Sequence, residues 1–221
     1  MIELQSIWFR YPRQRSWALR NVSLVLNRNE YVAVVGPNGS GKTTLLKIAS
    51  LIYRPVEGKV LVDNRDFWSI DSDEKLSIRR RVTYVHEKPV LLRGSVLHNI
   101  AYGLLIRGIS REKALEKAKS MLKIFNLEYL IDRNSRELSA GEAQLVAIAR
   151  ALVLDPDIVF LDEPFAHLDR EKRSILIEVL KNYREKGMGF VIATHNEYML
   201  SSVIDRVLVL EEGVLVEDRK V

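Results

Sequence analysis

Residues 36 to 43 read Gly36-Pro37-Asn38-Gly39-Ser40-Gly41-Lys42-Thr43, the full pattern G-x-x-x-x-G-K-[ST]. The loop lies between an apolar run, Tyr31-Val32-Ala33-Val34-Val35, and a helical stretch from Thr44 to Ser50. That context commits the chain to a strand that ends beneath a helix N-terminus, and to holding a nucleoside triphosphate there. The glycines let the backbone curl so that successive N–H groups converge on a β-phosphate, while the helix behind adds positive potential. In such a loop Lys42 bridges the β- and γ-phosphates, the Thr43 hydroxyl ligates Mg²⁺, and Thr44 opens the helix next to them.

The rest of the composition bounds what can surround this loop. A chain of 221 residues, 47% of them hydrophobic, can bury roughly 70% of the surface it exposes unfolded, enough for one large domain or a domain with a subdomain. No apolar stretch approaches the ~20 residues needed to span a bilayer, and Met1-Ile2-Glu3-Leu4 lacks the basic segment followed by a hydrophobic one that a secretory leader has. The expectation is a protein that is neither secreted nor integral to a membrane. The absence of cysteine excludes a disulfide framework, a thiolate metal site and a cysteine nucleophile, and suits a reducing cytoplasm. The formal charge is +5, but the basic residues are interspersed with 29 acidic ones, which predicts a mixed charged surface.

Hydrophobic period alternates between short β-rich runs and longer helical stretches, so the fold class expected is α/β with a mainly parallel core sheet. The core strands expected are Tyr31–Val35, Arg81–Val85, Ile158–Leu161 and Phe190–Thr194. Leu4–Arg10, Val22–Leu26, Lys59–Val62, and Arg206–Glu211 followed by Val214–Glu217 read as strands of an accessory antiparallel sheet and a closing hairpin, with Glu212-Gly213 at its turn. Ser110 starts a helix whose Ala114, Leu115, Ala118, Met121, Leu122 and Phe125 share one face, and Asp169 caps another that stops at Gly187. Between Lys88 and Ala151 the β signal almost vanishes. The division expected is a single domain over 1–221, with an α/β core at 1–87 and 152–221 and an inserted helical subdomain at 88–151.

Three further motifs fall at places where open α/β sheets bind ligands. Ile158-Val159-Phe160-Leu161 ends in Asp162-Glu163, an apolar strand delivering two acids to its C-terminal edge. Asp162 is suited to the Mg²⁺ hydration shell, and Glu163 to orienting or deprotonating the water that attacks a γ-phosphate. Leu138-Ser139-Ala140-Gly141-Glu142 precedes a helix from Ala143 to Val153, which makes a second anion-binding helix end. Alone it would be an ordinary helix start. On a chain that already carries a phosphate loop it implies a nucleotide held by another copy, hence a head-to-tail pair of subunits. Thr194-His195 follows the strand ending at Ala193, again at the edge where a γ-phosphate would lie.

This ordered set resembles the nucleotide-binding subunit of ATP-binding cassette (ABC) transporters over essentially the whole chain, with a P-loop ATPase core of the RecA-like type. The resemblance implies ATP and Mg²⁺ as ligands and Mg²⁺-dependent ATP hydrolysis. It implies that Tyr11 stacks on adenine, that Ser139, Ala140, Gly141 and Glu142 face the γ-phosphate of ATP bound to the opposite subunit, that Glu163 is the catalytic carboxylate, that Asp169 lies at the dimer interface and that His195 is the γ-phosphate switch, catalytic with Glu163 in promoting attack by water. The partners implied are a second copy of the chain, transmembrane permease subunits and a substrate-binding protein, with no nucleic acid, at a cytoplasmic location on the inner face of the cell membrane. The loop Glu87 to Arg93 and the helical subdomain are expected to receive a permease coupling helix.

The sequence departs from the family pattern at Glu87, where a metal-sensing glutamine is usual. An acid there attracts Mg²⁺ and repels the γ-phosphate, and each unit charge at 4 Å is worth roughly 4 kcal/mol at an effective dielectric of 20. Ala140 and Glu142 replace the usual glycine and glutamine. The stretch from Lys88 to Leu104 and Gly141-Glu142-Ala143-Gln144 looks like the ATPases of tungstate or molybdate importers. The alternative class is a soluble ABC ATPase of nucleic-acid repair or translation. Against it, Lys42 and Ser139 are separated by fewer than 100 residues, with no coiled coil or second cassette.

Overall fold

The computed structural model describes residues 1–195 and 200–221. Its contacts divide the chain into two compact units. The first comprises Met1–Tyr84, Asp157–Glu163 and Gly187–Val221, and the second Val85–Pro156 and Pro164–Lys186.

The first unit holds two sheets. Strands β1 (Ile2–Phe9), β2 (Leu19–Leu26), β4 (Glu57–Val62) and β5 (Arg65–Asp66) form an antiparallel sheet in the order β2-β1-β4-β5. In β1, Ile2, Leu4, Ile7 and Phe9 are buried, the near-alternation of a strand with one covered face. The other sheet contains β3 (Tyr31–Val35), β6 (Val82–Val85), β7 (Ile158–Asp162), β8 (Gly189–Ala193), β9 (Arg206–Glu211) and β10 (Val214–Lys220), ordered β10-β9-β3-β8-β7-β6. Within it β3 runs parallel to β8 and β9, and β7 parallel to β8. Every residue of β7 and β8 is buried, which explains why those segments read as unbroken apolar runs instead of alternating ones.

The closing hairpin joins the core sheet and not the accessory one. β9 pairs in parallel with β3, Ala33 opposite Val207, and β10 folds back antiparallel on β9. Val207, Leu208 and Leu210 are fully buried, and that burial draws the hairpin to the edge of the larger sheet. Helix α1 (Lys42–Ala49) packs on β7 and β8, which brings the loop before it to the C-terminal edge of the parallel strands. Helix α2 (Ser72–Arg79) begins at Asp71, whose carboxylate accepts from the N–H groups of Asp73 and Glu74.

The second unit is helical among its described residues apart from the end of β6. It contains α3 (Val96–Ile106), α4 (Arg111–Ile124), α5 (Ala140–Leu152) and α6 (Arg170–Glu185). Ala114, Ala118, Met121, Leu122 and Phe125 are buried along one face of α4 and its end, as the spacing predicts, while Leu115 is only half-buried. Helix α5 starts at Ala140, three residues before the start expected from its apolar pattern. The reason is a capping box in which Ser139 and Glu142 satisfy each other's backbone N–H groups, so Ala140 to Glu142 become the first helical turn.

Candidate active site

The phosphate loop connects β3 to α1 and has no spare room. Gly36 has φ 149°, and a Cβ added there would stand 2.1 Å from Leu210 O on β9 and 2.8 Å from Ser40 Oγ. Only glycine fits such an approach. Ser40 O in turn accepts from the Gly213 N–H at 3.0 Å, so the loop is braced from behind by the β9–β10 hairpin. Pro37, Asn38 and Gly39 are exposed at the loop's crest.

Lys42 is only 8% exposed, and its ammonium donates to Gly36 O at 2.8 Å and Pro37 O at 3.1 Å. Helix α1 has Gly41 as its N-cap, with no side-chain cap and no acidic residue in its first turn. Helices α5 and α6 instead begin with side-chain caps from Ser139 and Asp169. The start of α1 therefore keeps the partial positive charge of its N–H groups directed into the loop. Ser40 Oγ is buried without a hydrogen-bond partner, a polar atom that a phosphate oxygen would satisfy.

The acids arrive at the end of β7. Asp162, 2% exposed, accepts from the Thr43 hydroxyl at 3.1 Å through Oδ1 and from the Tyr84 hydroxyl at 2.8 Å through Oδ2. Burial and the adjacent Asp162 charge push the Tyr84 phenol well above its ordinary value, so Tyr84 remains a donor. Among the described residues no three His, Cys, Asp or Glu side chains gather to cage a metal. A single carboxylate beside a threonine hydroxyl nevertheless suits Mg²⁺, which is commonly held by one or two protein oxygens with phosphates and water. The residues thus fit both nucleotide and metal.

Glu163 follows with φ 44°, a left-handed conformation rare outside glycine, asparagine and aspartate. Its N–H still bonds Ala193 O at 2.9 Å, so the β7–β8 ladder continues past the strand while the side chain leaves on a different course. Glu163 Oε2 lies 3.1 Å from His195 Nδ1, the carboxylate half-covered and the imidazole exposed. Strain of this kind, at a cost of about 1–3 kcal/mol, gathers at functional positions.

Tyr11 lies beside the loop. Its hydroxyl is 2.9 Å from Thr44 Oγ1, and its ring meets Phe9 and Tyr53 edge to face. The other nearby aromatics are engaged elsewhere, since Trp8 and Trp17 pair with each other and the Arg10 guanidinium covers Trp17.

The second unit carries the remaining residues. Ser139 and Ala140 are exposed, and Gly141 is buried. A Cβ on Gly141 would fall 2.8 Å from His167 O and 3.1 Å from Lys172 Cδ, whereas alanine is accommodated one residue earlier. Glu142 accepts from the Ser139 hydroxyl at 2.7 Å, the Ser139 N–H at 2.8 Å and the Tyr129 hydroxyl at 3.1 Å. Asp169 caps α6 through the Lys172 N–H at 2.9 Å and pairs with the Lys172 ammonium at 2.5 Å. Lys172 thereby holds Asp169 below the usual carboxylate range. Glu87 is half-buried in a loop laced to the helices. Asn99 bonds both backbone groups of Leu92, at 2.7 and 2.9 Å, and Arg150 reaches Val90 O at 2.8 Å.

Two hydroxyls escaped the sequence reasoning, Tyr84 on Asp162 and Tyr129 on Glu142. The only signal for Tyr84 was its place at the C-terminal end of an expected core strand, and Tyr129 had none.

Residues 19–166 match the ABC transporter family model. The chain is similar to the phosphate import ATP-binding protein PstB 2 of Natronomonas pharaonis, 36% identical over 90% of this chain and 73% of that protein. It is also similar to the lipoprotein-releasing system ATP-binding protein LolD of Hyphomonas neptunium, 40% identical over 90% and 88%. The molybdate/tungstate import ATP-binding protein WtpC of Pyrococcus abyssi is 36% identical over 98% of this chain and 61% of its own length. Among solved structures, the dimeric post-hydrolysis state of the ATP-binding cassette MJ0796 bound to ADP and Pi superposes with a TM-score of 0.91 at 30% identity, covering 100% of this chain and 98% of that one. With a phosphate loop, a buried carboxylate beside a threonine hydroxyl and a second acid at the strand edge, and with these relatives, the chain belongs to the ABC transporter family as an ATP-binding subunit and Mg²⁺-dependent ATPase.

Proposed function

We propose that this subunit drives an oxyanion importer of the tungstate or molybdate kind, as a pair of identical chains on the inner face of the cell membrane with a permease and a substrate-binding protein. Two features support the cargo class: the stretch from Lys88 to Leu104, and relatives whose names include phosphate and molybdate/tungstate import. Another relative is named for lipoprotein release. The deciding assay is copurification with the membrane subunit followed by ligand screening of its binding protein. Tight binding of tungstate, molybdate or phosphate is expected, and binding of an amino acid or lipid instead rejects the cargo class.

In this reading the loop from Gly36 to Thr43 grips the phosphates of one ATP, Tyr11 supports its adenine, and the turn from Ser139 to Glu142 of a second copy completes the γ-phosphate site. Asp169 meets that second copy. Mg²⁺, when bound, would supply charge neutralisation for the phosphates. Thr43 and Asp162 supply its protein oxygens, and Tyr84 fixes the Asp162 carboxylate. Glu163 takes a proton from the attacking water, and His195 orients Glu163 and contacts the γ-phosphate. Opening and closing of the pair is passed to the permease through the helical residues 88–151, where Val90 and Ile106 are 80% and 66% exposed. Glu87 senses the metal-bound nucleotide from the same region.

The single observation that carries the chemistry is Glu163, held in a strained conformation one residue beyond the Thr43–Asp162 pair with its carboxylate on His195. Glu163→Gln is expected to lower phosphate release about a hundredfold to ten-thousandfold while retaining ATP, and to trap a dimer by light scattering. A variant that stays active and monomeric with ATP overturns the assignment.

A further inference from the structure

Ser139 has one hydroxyl proton, and it is already committed. The hydroxyl donates to Glu142 Oε2 at 2.7 Å, and the Ser139 N–H reaches the same oxygen at 2.8 Å. The Tyr129 hydroxyl holds the other oxygen, Oε1, at 3.1 Å. A capping box requires only the two reciprocal backbone bonds, here the Ser139 N–H to Glu142 and the Glu142 N–H to Ser139 Oγ at 3.3 Å. The bond from hydroxyl to carboxylate is additional. Burial pushes the Glu142 carboxyl up, but the bonds from Ser139 and Tyr129 and the Arg133 charge outweigh it and hold the group below its ordinary value. It is therefore an anion under working conditions, and an anion only accepts. Lys172 adds charge from a distance, but its ammonium is hydrogen-bonded to Asp169 and leaves the Ser139 proton on Glu142.

We propose that Glu142, braced by Tyr129, is a latch on Ser139 that keeps the hydroxyl proton from the γ-phosphate of a nucleotide carried by a second copy. The proposal rests on the reading of Ser139 given above and deepens it. For the pair to close, the serine must give up a charge-assisted hydrogen bond, and a carboxylate must approach a phosphate of like sign. A single proton cannot serve both anions. Glu142 is thus a positioning residue that acts through Ser139, and it sets how readily ATP brings two copies together.

The test is the dissociation constant of the full-length dimer at saturating Mg²⁺–ATP in a Glu163→Gln background, followed by sedimentation. Glu142→Gln keeps the shape and the cap but offers a neutral oxygen that accepts about half as strongly. It is expected to tighten the dimer on the order of tenfold, and Ser139→Ala to weaken it. Adding Glu142→Gln to Ser139→Ala is expected to give no tightening, because no hydroxyl remains to be released. If Glu142→Gln leaves the dimer unchanged or weaker while Ser139→Ala weakens it, the latch is wrong and the role of Ser139 stands. Tightening that persists without the hydroxyl also overturns the latch, leaving only charge repulsion. A Ser139→Ala chain that dimerises like its parent overturns the underlying reading and the latch with it. Thermal unfolding of each variant, matched to the parent within a few degrees, shows that the cap has survived.

Discussion

At the scale of single residues, the most constrained group is the Asp162 carboxylate. Both of its oxygens are taken, one by Thr43 and one by Tyr84, in a position that is 2% exposed. Tyr84→Phe leaves Oδ2 without its donor, and orphaning a buried acceptor costs about 1–3 kcal/mol. The expected result is a lower urea midpoint together with a higher Mg²⁺ requirement for nucleotide binding; an unchanged midpoint shows that Tyr84 does not fix the carboxylate. Glu87 is a second residue-scale case, because in the role proposed for it its charge would act on metal and phosphate with opposite sign. Glu87→Gln is expected to change the Mg²⁺ dependence of ATPase activity and the coupling to transport, and the acid has no special role if both stay as they were. The strand–loop–helix placement of the phosphate loop was legible as sequence because its motif lies in eight consecutive residues, Gly36 to Thr43. The tyrosines were not, because Tyr84 meets an acid 78 residues away and Tyr129 one 13 residues away, and tyrosine carries no local pattern that names such a partner.

At the scale of elements, strands buried along their whole length announced themselves, and β3, β7 and β8 lie within a residue or so of the runs that predict them. The closing hairpin shows where local reading stops. Its turn was visible at Glu212-Gly213, but a turn does not say which sheet the strands will join, and long-range pairing with β3 decided that. Arg206 anchors the hairpin with both Asp218 oxygens at 2.6 Å, Glu30 at 3.1 Å and Val25 O at 2.8 Å. The Arg206 guanidinium beside Asp218 holds that carboxyl below its ordinary value. A carboxyl whose pKa falls on folding adds stability above its unfolded pKa, and that contribution disappears as pH falls through the folded value. Asp218→Asn is therefore expected to be less stable than the parent at neutral pH and to converge on it in acid. Urea midpoints taken from about pH 2 to pH 6 test this, and a constant gap across the range would assign the effect to packing.

At the scale of the whole molecule, residues distant in sequence complete the phosphate loop. Leu210 O backs Gly36, and the Gly213 N–H holds Ser40 O, although the loop itself ends at Thr43. Truncation after Ala193 is expected to abolish ATP binding by calorimetry even where circular dichroism still reports helix, and a truncated chain that binds ATP normally would show the brace to be dispensable. The same dependence orders events during synthesis. A nascent chain on the ribosome exposes Gly36 to Thr43 long before Arg206 to Val214 leave the exit tunnel, so the loop is present as a peptide well before it is rigid enough to hold a triphosphate. Nucleotide capture is thereby expected to wait until β9 and β10 have folded against the loop.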